Sequence, residues 1–122
     1  KVVTAMEVKL TKGETARIQR AQTENTEAYR YLRRGIPKML RFTKEGYTEA
    51  RKLFEKALSL DPKFSSGWVY LGYTHYFAAK FGWNGNPVHG PVTRAEEMAR
   101  KALDIDPSNP DAYDMMGVLS LL

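Results

Sequence analysis

Apolar residues return every three or four positions along most of this chain. Ala50, Leu53, Phe54, Ala57, Leu58 and Leu60 keep that spacing, the mark of an amphipathic helix. Asp61-Pro62 stops it, because proline cannot donate the next helical hydrogen bond and biases the residue before it toward extended geometry. The same reading predicts helices over 26–42, 47–60 and 65–81. It predicts another opening at Pro91 or Thr93 and running to Asp106-Pro107, and a last one opening at Asn109 or Pro110. Pro37 falls inside the first and should kink it or end it early. Residues 43–46 read as a turn, and 82–90, with three glycines, two asparagines and a proline, as a loop. Ahead of these, Val3, Met6 and Leu10 share one helical face. Thr11 and Glu14 fit a capping box, and Ala16, Ile18 and Ala21 belong to the helix it opens. Residues 22–25 read as a linker ending in Asn25, a good N-cap.

The pattern occurs twice. Residues 50–72 laid over 95–117 agree at seven of 23 positions: Ala50/Ala95, Lys56/Lys101, Ala57/Ala102, Leu58/Leu103, Asp61/Asp106, Pro62/Pro107 and Gly72/Gly117. Leu53/Met98, Leu60/Ile105, Trp68/Tyr113 and Leu71/Met116 keep their character. A repeat on this length scale predicts stacked helix pairs, each burying its neighbour's apolar side.

These residues resemble the tetratricopeptide repeat. Trp68, Leu71 and Gly72 match the first helix of that family's unit, and Ala50, Phe54, Ala57 and Pro62 match its second. Tyr31 and Gly35 open an earlier copy; Tyr113, Met116 and Gly117 open a later one. The family's unit is about 34 residues. With Gly35 and Gly72 as anchors, this chain carries three extra residues before Ala50 and eleven before Ala95. The resemblance implies an all-α antiparallel helix-pair stack, a tetratricopeptide-type α-solenoid of about two and a half repeats. Its expected divisions are a helical segment and linker over 1–25 and repeats over 26–62, 63–107 (with the inserted loop 82–90) and 108–122.

A second resemblance spans more of the chain. VVTAMEVKLTKGETARIQRAQTENTEAYRYLRRG, then FTKEGYTEARKLFEKALSLDP, then FGWNGNP look like the segment behind the catalytic domain of bacterial class III adenylate/guanylate cyclases. The paired metal-binding aspartates of such a catalytic domain are missing. The resemblance therefore implies a regulatory or scaffolding segment of a signalling protein rather than an enzyme, with the cyclase activity belonging to the parent protein.

Composition agrees with one helical domain of 122 residues. No run approaches the ~18 apolar residues of a membrane-spanning helix, so no membrane insertion is expected. The chain has no cysteine, which excludes disulfides and thiolate metal sites and fits a cytoplasmic location. Lys1-Val2-Val3 lacks an initiator methionine and is expected to open a fragment. The net charge is +5, but residues 1–60 carry +7 and residues 61–122 carry −2. That asymmetry favours head-to-tail contact or an acidic partner.

No catalytic constellation emerges, and no cofactor or metal is expected. His75 has no Asp, Glu or Cys three or four residues away and reads as a packed helix residue. His89 stands alone in the loop. Glu96 and Glu97 point about 100° apart. The glycines of 82–90 lack a phosphate-binding spacing. Three surfaces remain for binding protein or peptide. Helical register predicts a groove lined by Tyr29, Leu32, Arg33, Ile36, Val69, Tyr73, Tyr76 and Asp114. Leu32, Ile36, Tyr70, Asp111 and Met115 stand where one subclass of the family carries a carboxylate clamp, so that clamp is missing. Arg30, Arg34, Lys38 and Arg41 form a basic stripe, extended by Lys44, Arg51, Lys52 and Lys56. It suits an acidic segment, or as the alternative an anion or nucleic acid, although no recognition-helix motif supports the latter. Val118, Leu119, Leu121 and Leu122 form an apolar end through which a homo-oligomer is expected.

Overall fold

The computed structural model describes residues 23–83 and 90–120. They form five helices and, among the described residues, no strand: α1 Thr26–Met39, α2 Lys44–Leu60, α3 Ser65–Phe81, α4 Gly90–Ile105 and α5 Pro110–Leu119. The expectations for Val3, Met6, Leu10, the capping box at 11–14, residues 84–89 with His89, and Leu121 and Leu122 lie outside the described residues.

Local chemistry sets the helix ends. Asn25 caps α1 by accepting the amide of Ala28 at 3.0 Å. Pro37 lies in the last turn of α1, which ends at Met39 rather than at 42. Phe42 then turns the chain in the left-handed region, at φ 54°. Thr43 accepts the amide of Gly46 at 3.0 Å and so starts α2 at Lys44. The predicted turn at 43–46 is thus a cap and the first helical turn, with Gly46 in a place where a side chain would strike the carbonyl of Lys38. Gly82, at φ 72°, closes α3, and Asn109 caps α5.

Short connections fold α1 against α2 and leave α3 to pair with α4; α3 also packs on α1, α2 and α5. Two buried clusters result. Ala28, Leu32, Phe54, Ala57, Phe64 and Leu71 build the first, between α1, α2 and α3. Val69, Ala95, Ala99, Ala102, Ala112, Met115 and Leu119 build the second, between α3, α4 and α5. Trp68 touches both clusters, yet it is half-buried rather than fully enclosed. Its indole Nε1 reaches the carbonyl of Pro62 at 2.8 Å, which holds one edge at the surface.

The sequence repeat reappears as repeated contacts. Trp68 Nε1 donates to Pro62 O, and at the matching place Tyr113 Oη donates to Pro107 O, both at 2.8 Å. Asp61 Oδ1 accepts the amide of Lys63 and Asp106 Oδ1 that of Ser108, each at 3.1 Å. Asp-Pro therefore also builds the turn that follows each stop.

Candidate interaction surface

On α1, Tyr29, Arg33 and Ile36 share a face; on α3, Tyr70, Tyr73 and Phe77 do. Tyr29, Ile36, Tyr70, Tyr73 and Phe77 all sit half-buried against the first cluster. Their rings run in a ladder along α3. Tyr70 and Tyr73 are 6.0 Å apart, Tyr73 and Phe77 6.2 Å, Phe77 and Phe81 6.3 Å, and Phe81 and Trp83 5.0 Å. Phe42 crosses from the end of α1 and meets Phe77 edge-on at 5.2 Å. Its left-handed backbone, uncommon for a bulky residue, accompanies that placement. Phe42 and Phe81 remain about half exposed, at 48% and 47%, so the upper ladder is open to a ligand.

The helices that flank the ladder, α1 and α5, carry opposite charge. On α1, Arg33 hydrogen-bonds the Tyr29 hydroxyl at 3.3 Å. On α5, Asp111 and Asp114 lie near Tyr70 and Tyr73. Burial, then the Asp111 carboxylate, pushes the Tyr70 hydroxyl up to about 12. Burial likewise raises Tyr73 and, opposed by a hydrogen bond from Ser66, Asp111. A raised carboxylate pKa means that the anion lacks compensation, so a cation brought to it would be favoured.

The expected groove residues divide between this face and the interior. Tyr29, Arg33, Ile36, Tyr73 and Asp114 are accessible to some degree, and Tyr76 is half-buried against the second cluster. Leu32 and Val69 do not line a groove. They are 2% and 0% exposed and belong to the two cores, because each lies about 40° round its helix from the accessible residue four positions on, Ile36 and Tyr73, on the side turned inward. Tyr70 and Phe77 take their place. Their signal was the spacing 70, 73, 77, which marks one face of a helix whose whole surface is rich in aromatics.

Along the basic stripe, Arg30, Arg34 and Arg41 are exposed, while Lys38 is half-buried and pairs with Glu49 at 2.9 Å. The Lys38 ammonium holds the Glu49 carboxyl below its usual value, first by hydrogen bonding and then by charge. Arg30 and Arg34 flank a shallow cleft of ≈ 180 Å³ with Glu27 and Tyr31. At the other end, Leu119 is not an exposed association residue: it is 8% exposed and packs in the second cluster, whereas Val118 is half-buried.

His75 is buried on α3, and its imidazole is pushed down to about 4 by burial and then by Arg94 and Arg51. Among the described residues, no three His, Cys, Asp or Glu side chains come together as metal ligands, and no helix is long and apolar enough to cross a membrane.

No family model matches the chain, and no solved structure matches it significantly. The chain is 30% identical over 112 residues to a protein of Rhizobium meliloti (strain 1021) named "Putative adenylate cyclase 3". The match covers 92% of this chain and 19% of that protein, so it relates the chain to one segment of a much longer polypeptide.

Proposed function

We propose that the chain is a tetratricopeptide-like interaction module, the non-catalytic regulatory or scaffolding segment of a cyclase-like signalling protein. The observation that carries this reading is the aromatic ladder on α3, open at Phe42 and Phe81, with Arg33 on the flanking helix α1 and Asp111 and Asp114 on the flanking helix α5. Such a face suits a peptide segment that lays apolar side chains on the rings, an acidic residue toward α1 and a basic one toward α5. The repeated Trp68–Pro62 and Tyr113–Pro107 hydrogen bonds support a repeat architecture. The match to a cyclase-named protein supports the signalling context.

A second reading has the Arg30–Arg34 cleft in its favour: an acidic segment or other anion docking on α1. Capture of binding partners by the purified chain at low and high salt separates the two. Salt-tolerant capture lost on Tyr73→Ala with Phe77→Ala is expected for the aromatic face. Salt-sensitive capture lost on Arg30→Glu with Arg34→Glu would favour the cleft. Capture indifferent to both pairs of substitutions would overturn both readings.

A further inference from the structure

Three basic side chains from three helices meet on the side of α3 turned away from the ladder. His75 stands two residues from Tyr73 and from Phe77, about 160° round the helix from each. There α2 and α4 both pack on α3 without packing on each other. Each sends an arginine toward His75. Arg94 of α4 and Arg51 of α2 are the charges that, after burial, oppose a proton on its imidazole. His75 is 8% exposed, Arg51 is half-buried and Arg94 is exposed, so the three make a graded path from the interior to the surface.

Arg51 is unlike the exposed arginines of α1. Its Nε is buried and, among the described residues, has no hydrogen-bond partner. Its Cζ lies 5.8 Å from the centre of the Tyr47 ring, which in turn lies 5.7 Å from the half-buried Trp83 ring. Carboxylates are near in sequence: Glu55 stands one turn beyond Arg51, and Glu97 one turn beyond Arg94. Neither forms an ion pair with them; the pair formed among the described residues is Lys38–Glu49. An enclosed donor without an acceptor is costly, and beside two further cationic groups it marks a place for an anion.

We propose that Arg51, His75 and Arg94 form a binding site for a phosphate monoester. Its oxygens lie between the two guanidiniums, each of which has the fork geometry to grip a phosphate through two hydrogen bonds. His75 gives the third contact. The bound dianion offsets the two arginine charges, so the imidazole takes up a proton from solvent and donates as well. A carboxylate has one charge and two oxygens for these three groups, whereas a phosphate monoester brings nearly two charges and three oxygens. The Trp83 ring beside Tyr47 offers a flat apolar surface to the organic group of the ester. The site uses neither the ladder nor the repeat reading.

The test follows the His75 imidazole protons of the whole chain by NMR, with His75→Gln assigning the signal and sodium chloride holding ionic strength constant. The probes are sulfate (a dianion throughout the pH range read), phenyl phosphate and a short phosphoserine peptide. Saturable shifts at His75 are expected with each. Saturating sulfate should raise the His75 titration midpoint by at least about one pH unit. Arg94→Gln and Arg51→Met should each weaken binding of the esters about tenfold or more. Arg94 is exposed, so its variant keeps the melting temperature of the wild type. Tighter binding of phenyl phosphate assigns the ester to a free small molecule, and tighter binding of the peptide to a phosphorylated protein side chain. No saturation at tens of millimolar probe, an unmoved His75 midpoint, or binding indifferent to both arginine substitutions would overturn the proposal. Shifts confined to α1 and lost on Arg30→Glu with Arg34→Glu would also overturn it, by giving the anion to the cleft there. Tyr73→Ala with Phe77→Ala spares this site, so it can fail while partner capture by the ladder survives, and the reverse.

Discussion

The ring of Phe54 occupies the space that a side chain on Gly35 would need, with Cε1 only 2.5 Å from the position of a Cβ there. Phe54 is fully buried and cannot swing away. Gly35→Ala therefore gains helix propensity but overpacks the first core. A net loss of about 1–3 kcal/mol is expected by urea denaturation. Gly117→Ala, facing open space in α5, should instead stabilise by about 0.5–1 kcal/mol. Equal effects at the two glycines would contradict the packing described.

Asn109, 1% exposed, donates to Ser65 Oγ at 2.8 Å and Ser66 Oγ at 3.1 Å, and accepts the amide of Asp111 at 3.0 Å. Asn109→Ala removes a cap and the two bonds donated to the buried Ser65 and Ser66 hydroxyls, which keep only their own donated bonds to Ala102 and Asp111. It should cost about 2–4 kcal/mol. Asn109→Asp, which keeps the cap acceptor and loses both donated bonds, should fall between alanine and wild type in the same denaturation series.

His75 has a folded-state pKa of about 4, below its ordinary 6.5, because burial and then Arg94 and Arg51 oppose the cation. The unfolded chain therefore takes up this proton first as pH falls. The stabilising contribution is complete above the unfolded value and is lost as pH drops from about 6.5 toward 4, by at most about 3 kcal/mol. Asp111, whose carboxyl is raised, acts in the opposite sense at acid pH. Urea midpoints between pH 7.5 and 4.5 for wild type and His75→Gln isolate the histidine. A wild-type slope that persists unchanged in the variant would contradict this.

Trp68 bridges both cores but keeps one edge at the surface under Lys101. Trp68→Ala should cost less than the ~3–5 kcal/mol of a fully enclosed tryptophan. In a double-mutant cycle with Lys101→Met the two should couple by about 0.5–1 kcal/mol. Thermal denaturation of the four proteins gives both numbers.

Arg30 and Arg34 are exposed, and charge reversal at both should leave stability within about 1 kcal/mol. Lys38→Glu is a different case, since it sets two carboxylates together where Lys38 now meets Glu49. Its melting temperature should fall below that of the double arginine variant.

Helix positions were legible wherever a stop signal is chemical and local. Asp61-Pro62, Asp106-Pro107, Asn25 and Asn109 all mark helix ends in the structure. Thr43 misled because a cap and a turn residue look alike until the amide it accepts is known. The binding face was legible only in part. Tyr29, Arg33, Ile36 and Tyr73 follow from register, but Leu32 and Val69 differ from them by a small rotation of each helix, which packing rather than periodicity decides. Phe42 could not be placed from sequence, since its position depends on a left-handed residue after α1.

The hydrogen bonds of Asn109 and Ser65 turn three helix ends into one rigid joint. Asn109 holds the start of α5 to the start of α3, and Ser65 Oγ ties α3 to the carbonyl of Ala102 near the end of α4 at 2.7 Å. Mechanically, α5 is a short lever whose fulcrum is buried. A tilt of α5 about its start strains the Asn109 bonds to Ser65 and Ser66 in the first turn of α3. The ends of α3, α4 and α5 thus share one buried set of polar contacts, so loosening any one of the three helices there uncovers polar groups of the other two.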